Sequence, residues 1–546
     1  MKEDEKFEKL TLEMFTKIME ENPEYATFLG LHDPYDSQLA DGSSKNVLRS
    51  LELSKQWVDK MKATVRYEAL SSDHKIDWKV IENSYEKARF SVYEHQVWER
   101  NPDAFDNIGG VLFIMLTRNY APIEKRVEGI VKRLEKLPLY LEQFRTRFEK
   151  SKPVKLWTEV AVESGRQVPG LFQFIVEATD GMVSESLHER LKKAVANLQQ
   201  PIEHHMQWLQ GLLPKTEAEW TLGKEKFEKW LKLRGLNLTS AEIHSLGVKY
   251  LKELKNEREK LAKQIAPGKG AKEVLELIEA KAPETYEEAL KATRGEMEKA
   301  RDFIIENDIA TVNREDKLHV EETPAFMAPL FPFAALIPPG KFDKRQEGIY
   351  IVTRPKELKN LGKHLNYASI PGTAVHEGFP GHFLQSAMSN RGSLVRLFAG
   401  GTETIEGWAH YCEEMMREQG FIKGLETQFI KTNDAIWRAV RIIVDVKLSR
   451  GEMSFDEAVE MLMKEARMSK EGAVAEVRRY TLTPGYPLSY LLGKHLILKL
   501  REDIEKRMGK KFSLKFFHDT ILANGELPIG LLKEVFKMKL GELGIK

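Results

Sequence analysis

Two imidazoles and two carboxylates in the second half of the chain are suited to binding and using a metal ion. His376, Glu377 and His382 fall within seven residues, and Glu406 follows in a later segment. Two histidines and one glutamate form the ligand set of a catalytic zinc site that keeps a fourth position for water. A glutamate directly after the first histidine is the usual general base of zinc peptidases. The residue types therefore indicate a hydrolytic zinc centre with Glu377 as its base.

The spacing of the two histidines does not fit a regular helix. Histidines of a helical zinc motif are usually four residues apart, whereas His376 and His382 are six apart, which turns the second ring away by about 120°. Pro380 lacks the N–H that would bond back to the helix, and Gly381 tolerates backbone angles closed to other residues. We expect a bulge or kink here that returns His382 to the metal. The alternative from spacing alone is a helix broken at Pro-Gly, with two unrelated histidines.

The sequence around these residues resembles a prokaryotic family. The segments H-E-G-F-P-G-H-F-L-Q, from His376, and E-G-W-A-H-Y-C-E, from Glu406, are similar to the two signatures of the family called domain of unknown function 885. That family is grouped with the gluzincin zinc metallopeptidases of the peptidase MA clan. The similarity extends to Arg479–Gly493 and to Phe517–Pro528, and a weaker similarity begins near Ala26.

The resemblance implies a ligand set and the groups that support it. The expected zinc ligands are His376, His382 and Glu406. Glu403, His410 and Glu413 share roughly one helix face with Glu406 and are its rivals. The resemblance favours Glu406 as the ligand and makes His410, Glu413 and Asp445 candidates for orienting the ligands through hydrogen bonds. Two positions depart from the family pattern, since Phe383 replaces a histidine and Tyr486 replaces a common glutamine.

Residues further along the chain are candidates for contacting the substrate. Peptide hydrolysis needs a donor for the oxyanion of the tetrahedral intermediate, and a tyrosine hydroxyl can provide it. Tyr490 is the first choice, with Tyr480 and His495 behind it. Arg479 is suited to binding a substrate carboxylate through two parallel hydrogen bonds, which would make the protein an exopeptidase. The alternative for Arg479 is a structural ion pair, for example with Glu476.

These residues together predict a zinc-dependent metallopeptidase that hydrolyses short peptides, an exopeptidase of carboxypeptidase or dipeptidase type. The expected cofactor is Zn²⁺ and the expected partner is a short peptide, a size implied by the family resemblance alone. Three alternatives remain open. The first is a metal-dependent hydrolase of another amide or an ester, and the second is an inactive peptide-binding module. The third is a structural metal site in which His410 completes four protein ligands.

Composition excludes several classes of partner. The chain has 546 residues and a net charge of +1, so it carries no basic surplus of the kind that binds nucleic acid. No uncharged apolar run reaches the roughly 18–20 residues that span a bilayer. Cys412 is the single cysteine and the first residues lack the apolar core of a signal peptide, so we expect a cytoplasmic location without disulfides.

The sequence predicts that the elements that position the site are mainly α. The expected fold is a large multi-helix peptidase-like fold, with a small β element next to a zincin-type pair of active-site helices. Residues 1–310 are expected to form helices and one wall of the cleft, and residues 311–546 the metal-binding catalytic region of one continuous folded unit. The apolar stripe from Ile123 to Leu137 predicts a helix ending at Pro138. Residues 348–353 predict a strand, either a substrate-binding edge or part of a small hairpin.

Overall fold

The chain is mainly helical, as the sequence predicts. A computed structural model describes residues 2–217, 219–323, 334–355 and 357–545. Within these ranges it contains 24 α-helices and one three-stranded β-sheet. None of the helices in the described ranges is long and apolar enough to cross a membrane.

The residues group into two compact units. The first unit comprises Met1–Trp220 with Gly340–Lys344, and the second comprises Thr221–Pro339 with Arg345–Lys546. The division into a cleft wall at residues 1–310 and a catalytic region at residues 311–546 stays a prediction.

The first unit is built from helices packed around an apolar core. Phe7, Leu10 and Met14 form one buried stripe of helical spacing. Residues 340–344 join this unit through the backbone, where the Phe342 N–H donates to the Leu29 carbonyl at 2.8 Å. Its helices are α1 (Glu3–Glu21), α2 (Pro23–Phe28), α3 (Ser44–Thr64), α4 (Ser72–Phe90), α5 (Val97–Arg100), α6 (Asp106–Thr117), α7 (Ile123–Arg145), α8 (Lys155–Gly165), α9 (Val168–Ala178), α10 (Glu185–Asn197) and α11 (Gln199–Leu212).

Helix α7 corrects one prediction. Pro138 does not end it, because the helix continues to Arg145 with the proline inside. A proline within a helix removes one backbone hydrogen bond and crowds the preceding turn. Leu137 and Leu141 on either side are fully buried, and Phe144 is nearly so. Burial of this continuing apolar stripe offsets the local cost of the proline.

The second unit contains the remaining helices and the sheet. Its helix α13 begins at a capping box, in which the Glu242 N–H donates to Thr239 Oγ1 at 3.2 Å and the Glu242 carboxylate accepts from the Thr239 N–H at 2.8 Å. The helices are α12 (Gly223–Leu233), α13 (Ser240–Ile265), α14 (Ala271–Glu279), α15 (Tyr286–Glu306), α16 (Ile370–Thr373), α17 (His382–Ser389), α18 (Thr402–Glu418), α19 (Leu425–Arg450), α20 (Phe455–Glu465), α21 (Lys470–Leu482), α22 (Ser489–Met508), α23 (Leu514–Ala523) and α24 (Ile529–Glu542).

The sheet has the strand order β1-β3-β2, with β1 (Lys317–Glu322), β2 (Ala334–Ile337) and β3 (Glu347–Val352). Strand β1 runs parallel to β3, and β2 runs antiparallel to it. The predicted strand near residues 348–353 therefore exists as β3, and of the two alternatives for it the structure excludes an edge position. Within the described residues both sides of β3 pair with neighbouring strands, so a peptide cannot add to β3 itself.

One face of this sheet supports the segment that carries His376. Val320, Tyr350 and Val352 share a buried cluster with Met297 of α15 and with Ala374. A Cβ atom placed on Gly378 would lie only 3.2 Å from Leu318, so the chain there lies directly against β1. The sheet therefore supports the backbone of the segment that carries His376 within the second unit.

Candidate metal centre

Three side chains of the second unit converge as a metal site requires. Ligand atoms of His376, His382 and Glu406 all lie within 4.8 Å of one another. His382 Nε2 is 3.5 Å from Glu406 Oε2, and the two imidazole rings are 4.9 Å apart and nearly perpendicular. The three side chains are mostly buried, with 11%, 17% and 9% of their surface exposed. The structure therefore brings together the ligand set that the sequence predicts.

A π-helical turn and a break solve the spacing problem. Residues Ala374–Gly378 form the turn, and the Gly381 N–H then donates to the Val375 carbonyl at 3.0 Å. Helix α17 begins afresh at His382. A Cβ atom on Gly381 would lie 1.9 Å from the His376 carbonyl oxygen, so only glycine fits there. The irregular turn absorbs the extra residues and returns His382 to the face of His376.

Glu406 lies on helix α18, and close packing of α18 against α22 fixes its position. A Cβ atom on Gly407 would lie 2.4 Å from the Gly493 Cα atom, and one on Gly493 would lie 2.2 Å from the Glu403 carbonyl oxygen. Glycine at both positions lets the two backbones pack closely. The Trp408 Nε1–H also donates to the Pro380 carbonyl at 2.8 Å, which ties α18 to the break before His382.

Glu413 orients one of the candidate ligands. Its Oε1 atom lies 2.6 Å from Nδ1 of His376, leaving the Nε2 atom of that ring for a metal. The other carboxylate oxygen accepts a hydrogen bond from the Lys431 ammonium group. Burial alone would raise the pKa of Glu413, but Lys431 and the hydrogen bond with His376 hold it well below the ordinary value.

His410 does not join the ligand group. The described residues offer one such group, and it contains only His376, His382 and Glu406. His410 is 2% exposed, lies 3.6 Å from Glu413, and makes no hydrogen bond to the described residues through either ring nitrogen. Burial lowers its pKa to about 3, so the ring is neutral. The four-ligand structural site considered above therefore lacks its fourth ligand in the described part of the chain.

Glu377 remains available for chemistry. It lies in the π-helical turn directly after His376 and is partly buried. Its carboxylate has no hydrogen-bond or ion-pair partner among the described residues. A general base must have a free oxygen for the proton that it accepts, and Glu377 meets that requirement.

The tyrosine nearest the ligands is not the one that the sequence favours. The Tyr486 hydroxyl donates to Oε1 of Glu406. Although burial raises the pKa of Glu406, His382 and this hydroxyl lower it to about 2. Tyr490 follows, with its ring 6.0 Å from that of Tyr486 and nearly perpendicular to it. Sequence reasoning noted Tyr486 only as a departure from the family pattern.

The other candidates for substrate contact have protein partners. The buried Tyr480 hydroxyl donates to Glu476 at 2.6 Å. Arg479 forms an ion pair with the same carboxylate, at 2.9 Å. His495 pairs with the hydroxyl of Tyr250 at 2.9 Å. The ion pair that the sequence offered as one interpretation of Arg479 is therefore present.

Asp445 positions a loop instead of touching a ligand. Its carboxylate accepts hydrogen bonds from the N–H groups of Gly485 and Leu488, at 2.9 and 3.0 Å, and from Ser449 at 3.1 Å. The two backbone donors stand on either side of Tyr486. Burial raises the pKa of Asp445 to about 6, although these hydrogen bonds oppose the rise.

Two further charged groups near the candidate ligands were not predicted from the sequence. Lys431 supports Glu413, and Glu526 lies close enough to His382 for the two side chains to interact electrostatically. Burial raises the pKa of Glu526, and His382 counteracts this. Lys431 sits on α19 without a motif around it. Glu526 lies within the segment Phe517–Pro528 that resembles the family, and this resemblance was the available signal.

Comparison with known proteins finds one matching family model and solved structures of similar fold. The model of a family described as bacterial protein of unknown function (DUF885) matches residues 23–535. A solved structure from Shewanella oneidensis, described as "a putative lipoprotein of unknown function", is 22% identical with a TM-score of 0.79, covering 98% of this chain and 99% of that one. Another, described as "the putative lipoprotein" from Colwellia psychrerythraea, is 18% identical with a TM-score of 0.85, covering 99% of each chain. At these identities the likeness is one of fold alone. No curated protein matches the chain.

Proposed function

The chain belongs to this bacterial family, and from that premise we propose that it is a zinc-dependent metallopeptidase acting on short peptides. The observation that carries the proposal is the convergence of His376, His382 and Glu406 within 4.8 Å. Glu413 holds the first imidazole, and Glu377 stands beside it without a partner in the described residues. A purely structural metal site would have no use for that unpaired carboxylate.

The donor set fits zinc in chemistry and in scale. Bonds of about 2.0–2.1 Å in a tetrahedron place neighbouring ligand atoms about 3.3 Å apart. His382 Nε2 and Glu406 Oε2 lie 3.5 Å apart. Two imidazoles and one carboxylate also match the ligands of catalytic zinc, which keeps its fourth position open. The residues that would hold the ion are therefore His376, His382 and Glu406.

Each residue around the candidate metal site has a distinct role in the proposed reaction. Zinc, when bound, supplies Lewis acidity that polarises the scissile carbonyl and lowers the pKa of water. Glu377 accepts the proton of the attacking water and later donates it to the leaving amine. Tyr490 donates a hydrogen bond to the carbonyl oxygen as that atom gains negative charge. Tyr486 holds Glu406 in place through its hydroxyl.

The limited exposure of the three candidate ligands supports short substrates. Each keeps less than a fifth of its side-chain surface in contact with solvent. A scissile bond must come into contact with these mostly buried groups, and the backbone of a short, unfolded peptide meets less obstruction there than a folded protein would. Short peptides are therefore the substrate class that we propose.

Metal analysis of the purified protein tests the first half of the proposal. We expect about one zinc ion per wild-type chain, and loss of that ion in His382→Ala and in Glu406→Ala. Circular dichroism and thermal unfolding of each variant show whether the fold survives the substitution. Wild-type protein that stays free of metal after dialysis against zinc would contradict the proposal and favour an inactive peptide-binding module.

A substrate screen tests the second half. Zinc-loaded wild-type protein is incubated with a mixture of short peptides and, separately, with other amides and with esters, and the products are identified by mass spectrometry. Cleavage of peptides supports the proposal. Cleavage only of esters or non-peptide amides would replace it with another metal-dependent hydrolase.

Location is a separate question. The single, buried cysteine suits the cytoplasm. The two proteins of similar fold are each described as a "putative lipoprotein", and a lipoprotein would be found in the cell envelope. Fractionation of cells that express the untagged protein distinguishes these two locations.

A further inference from the structure

Two guanidinium groups and one carboxylate form a cluster near the candidate ligands. Arg441 Nη2 lies 3.0 Å from Oε2 of Glu476, and Arg479 Nη2 lies 2.9 Å from the same oxygen. The Tyr480 hydroxyl donates to that oxygen as well, at 2.6 Å. Since one negative charge faces two positive charges, the three charged side chains have a positive surplus.

The Glu476 oxygen has more donors than it can accept well. A carboxylate oxygen offers about two lone-pair sites, yet three donors point at this one. Arg441 is held firmly, because its side chain is only 6% exposed and its guanidinium group lies 3.9 Å from the Trp437 ring centre. Arg479 is 37% exposed. Arg479 is therefore the donor that the cluster can release to another anion.

Arg479 lies one tyrosine side chain away from the candidate ligands. Its guanidinium carbon is 5.7 Å from the ring centre of Tyr486, whose hydroxyl donates to Glu406. One extended peptide residue spans about 3.5 Å. A carboxylate one or two residues beyond a scissile bond lies about 4–7 Å from it. The path from the Arg479 guanidinium carbon runs 5.7 Å to the Tyr486 ring centre and continues through the Tyr486 hydroxyl to Glu406.

We propose that Arg479 binds the carboxy-terminal carboxylate of the substrate, so that the protein releases one or two residues from the carboxyl end of short peptides. This inference rests on the proposed peptidase function. The fork of N–H donors in a guanidinium group matches the two oxygens of a carboxylate. Glu476 holds Arg479 in orientation before the substrate arrives, and Arg441 with Tyr480 neutralises Glu476 once Arg479 turns to the substrate.

The test compares three forms of one peptide. Tetra-alanine with both ends free, its carboxy-terminal amide and its N-acetylated form are each incubated with zinc-loaded wild-type protein and with Arg479→Gln and Arg479→Lys. We expect the wild type to cleave both free-acid peptides and to cleave the amide about 10- to 100-fold more slowly, the range expected for loss of a charge-assisted hydrogen bond. Arg479→Gln should lose that preference, and Arg479→Lys should keep part of it.

A binding measurement separates recognition from turnover. In a Glu377→Gln background, which removes the proposed base, calorimetry should show that tetra-alanine binds about 10- to 100-fold more tightly than its amide. Adding Arg479→Gln should make the two affinities equal. This second measurement also detects a variant that fails to fold, because such a variant would bind neither peptide.

Arg89 provides a matched control. It forms an ion pair with Glu86 three residues earlier at 3.0 Å and is 40% exposed, much as Arg479 pairs with Glu476. Arg89→Gln should leave the preference for the free acid unchanged. A wild type that cleaves acid and amide equally, or a preference that survives in Arg479→Gln, would overturn the inference and leave the peptidase function standing. A wild type that cleaves none of the peptides would overturn both.

Discussion

Nδ1 of His376 lies 2.6 Å from Oε1 of Glu413, a residue 37 positions further along the chain. The contact fixes which nitrogen of the imidazole is left for a metal, because Nδ1 is occupied by the carboxylate. Lys431 holds the other oxygen of Glu413. The hydrogen bonds among Lys431, Glu413 and His376 thus fix the orientation of one candidate ligand.

Replacing Glu413 should weaken metal binding without removing a ligand. In Glu413→Gln we expect the dissociation constant for zinc to rise about 10- to 100-fold, because the His376 ring loses its charged partner. Competition with a chromogenic chelator measures the constant. Glu418 lies on the same helix and pairs with Arg501 at 2.8 Å, so Glu418→Gln is the control and should bind zinc as the wild type does. Equal constants for all three proteins would argue against this role of Glu413.

Replacing Glu377 should separate metal binding from catalysis. Glu377→Gln keeps the size of the side chain but cannot accept a proton, so we expect the peptide-cleavage rate to fall about 10²- to 10⁴-fold. The metal content should stay at the wild-type level. Rate measurement and metal analysis on the same preparation check both parts. Retention of full activity would exclude Glu377 as the base.

Gly381→Ala should disrupt the turn that returns His382. The added Cβ atom would lie 1.9 Å from the His376 carbonyl oxygen, so the backbone must move. We expect a loss of about 1–3 kcal/mol in the free energy of unfolding and weaker zinc binding. Gly295 in α15 has open space around it, and Gly295→Ala should be neutral or stabilising by up to about 1 kcal/mol. Denaturant unfolding and chelator competition compare the pair.

The two tyrosines should differ in their effects. Tyr490→Phe should lower kcat about 10²- to 10³-fold with little change in zinc affinity, because it removes the proposed oxyanion donor. Tyr486→Phe should mainly weaken zinc binding, because Glu406 loses the hydroxyl that holds it. Kinetics with zinc in excess, together with zinc titration, distinguish the two. The reverse pattern would identify Tyr486 as the oxyanion donor.

Asp445 should make stability depend on pH. Its pKa in the folded protein is about 6, above the ordinary value of 3.8, because burial disfavours the charge. The folded state therefore binds this proton more tightly, and the stabilisation is present below about pH 4 and is lost as the pH rises through about 6. Between pH 4 and pH 7 the loss should be about 2 kcal/mol.

Comparing the wild type with Asp445→Asn isolates the contribution of Asp445 to the pH dependence of stability. The difference in unfolding free energy between wild type and variant, measured with urea at both pH values, should shift in favour of the variant by about 2 kcal/mol on going from pH 4 to pH 7. Other titrating groups cancel in the difference. A difference that does not change with pH would show that Asp445 keeps the same charge throughout this range.

The sequence by itself determined the helical class and the residues of the candidate site. Apolar residues at helical spacing predict α-helices because their burial stabilises one face of each. Two histidines, a following glutamate and a later E-G-W segment name the candidate ligands and base. Residue type decides what a side chain can do as donor, acceptor or ligand, so this much is readable without a fold.

Only the tertiary structure decided which of these groups meet. Helical periodicity fixes angles within one helix, but it cannot show that a π-helical turn corrects the six-residue spacing of His376 and His382. Nor can it show that Tyr486 reaches Glu406 from 80 residues away. That contact depends on how closely α18 and α22 pack at Gly407 and Gly493. The strand order and the course of α7 through Pro138 were likewise set by burial against neighbours, which local sequence does not record.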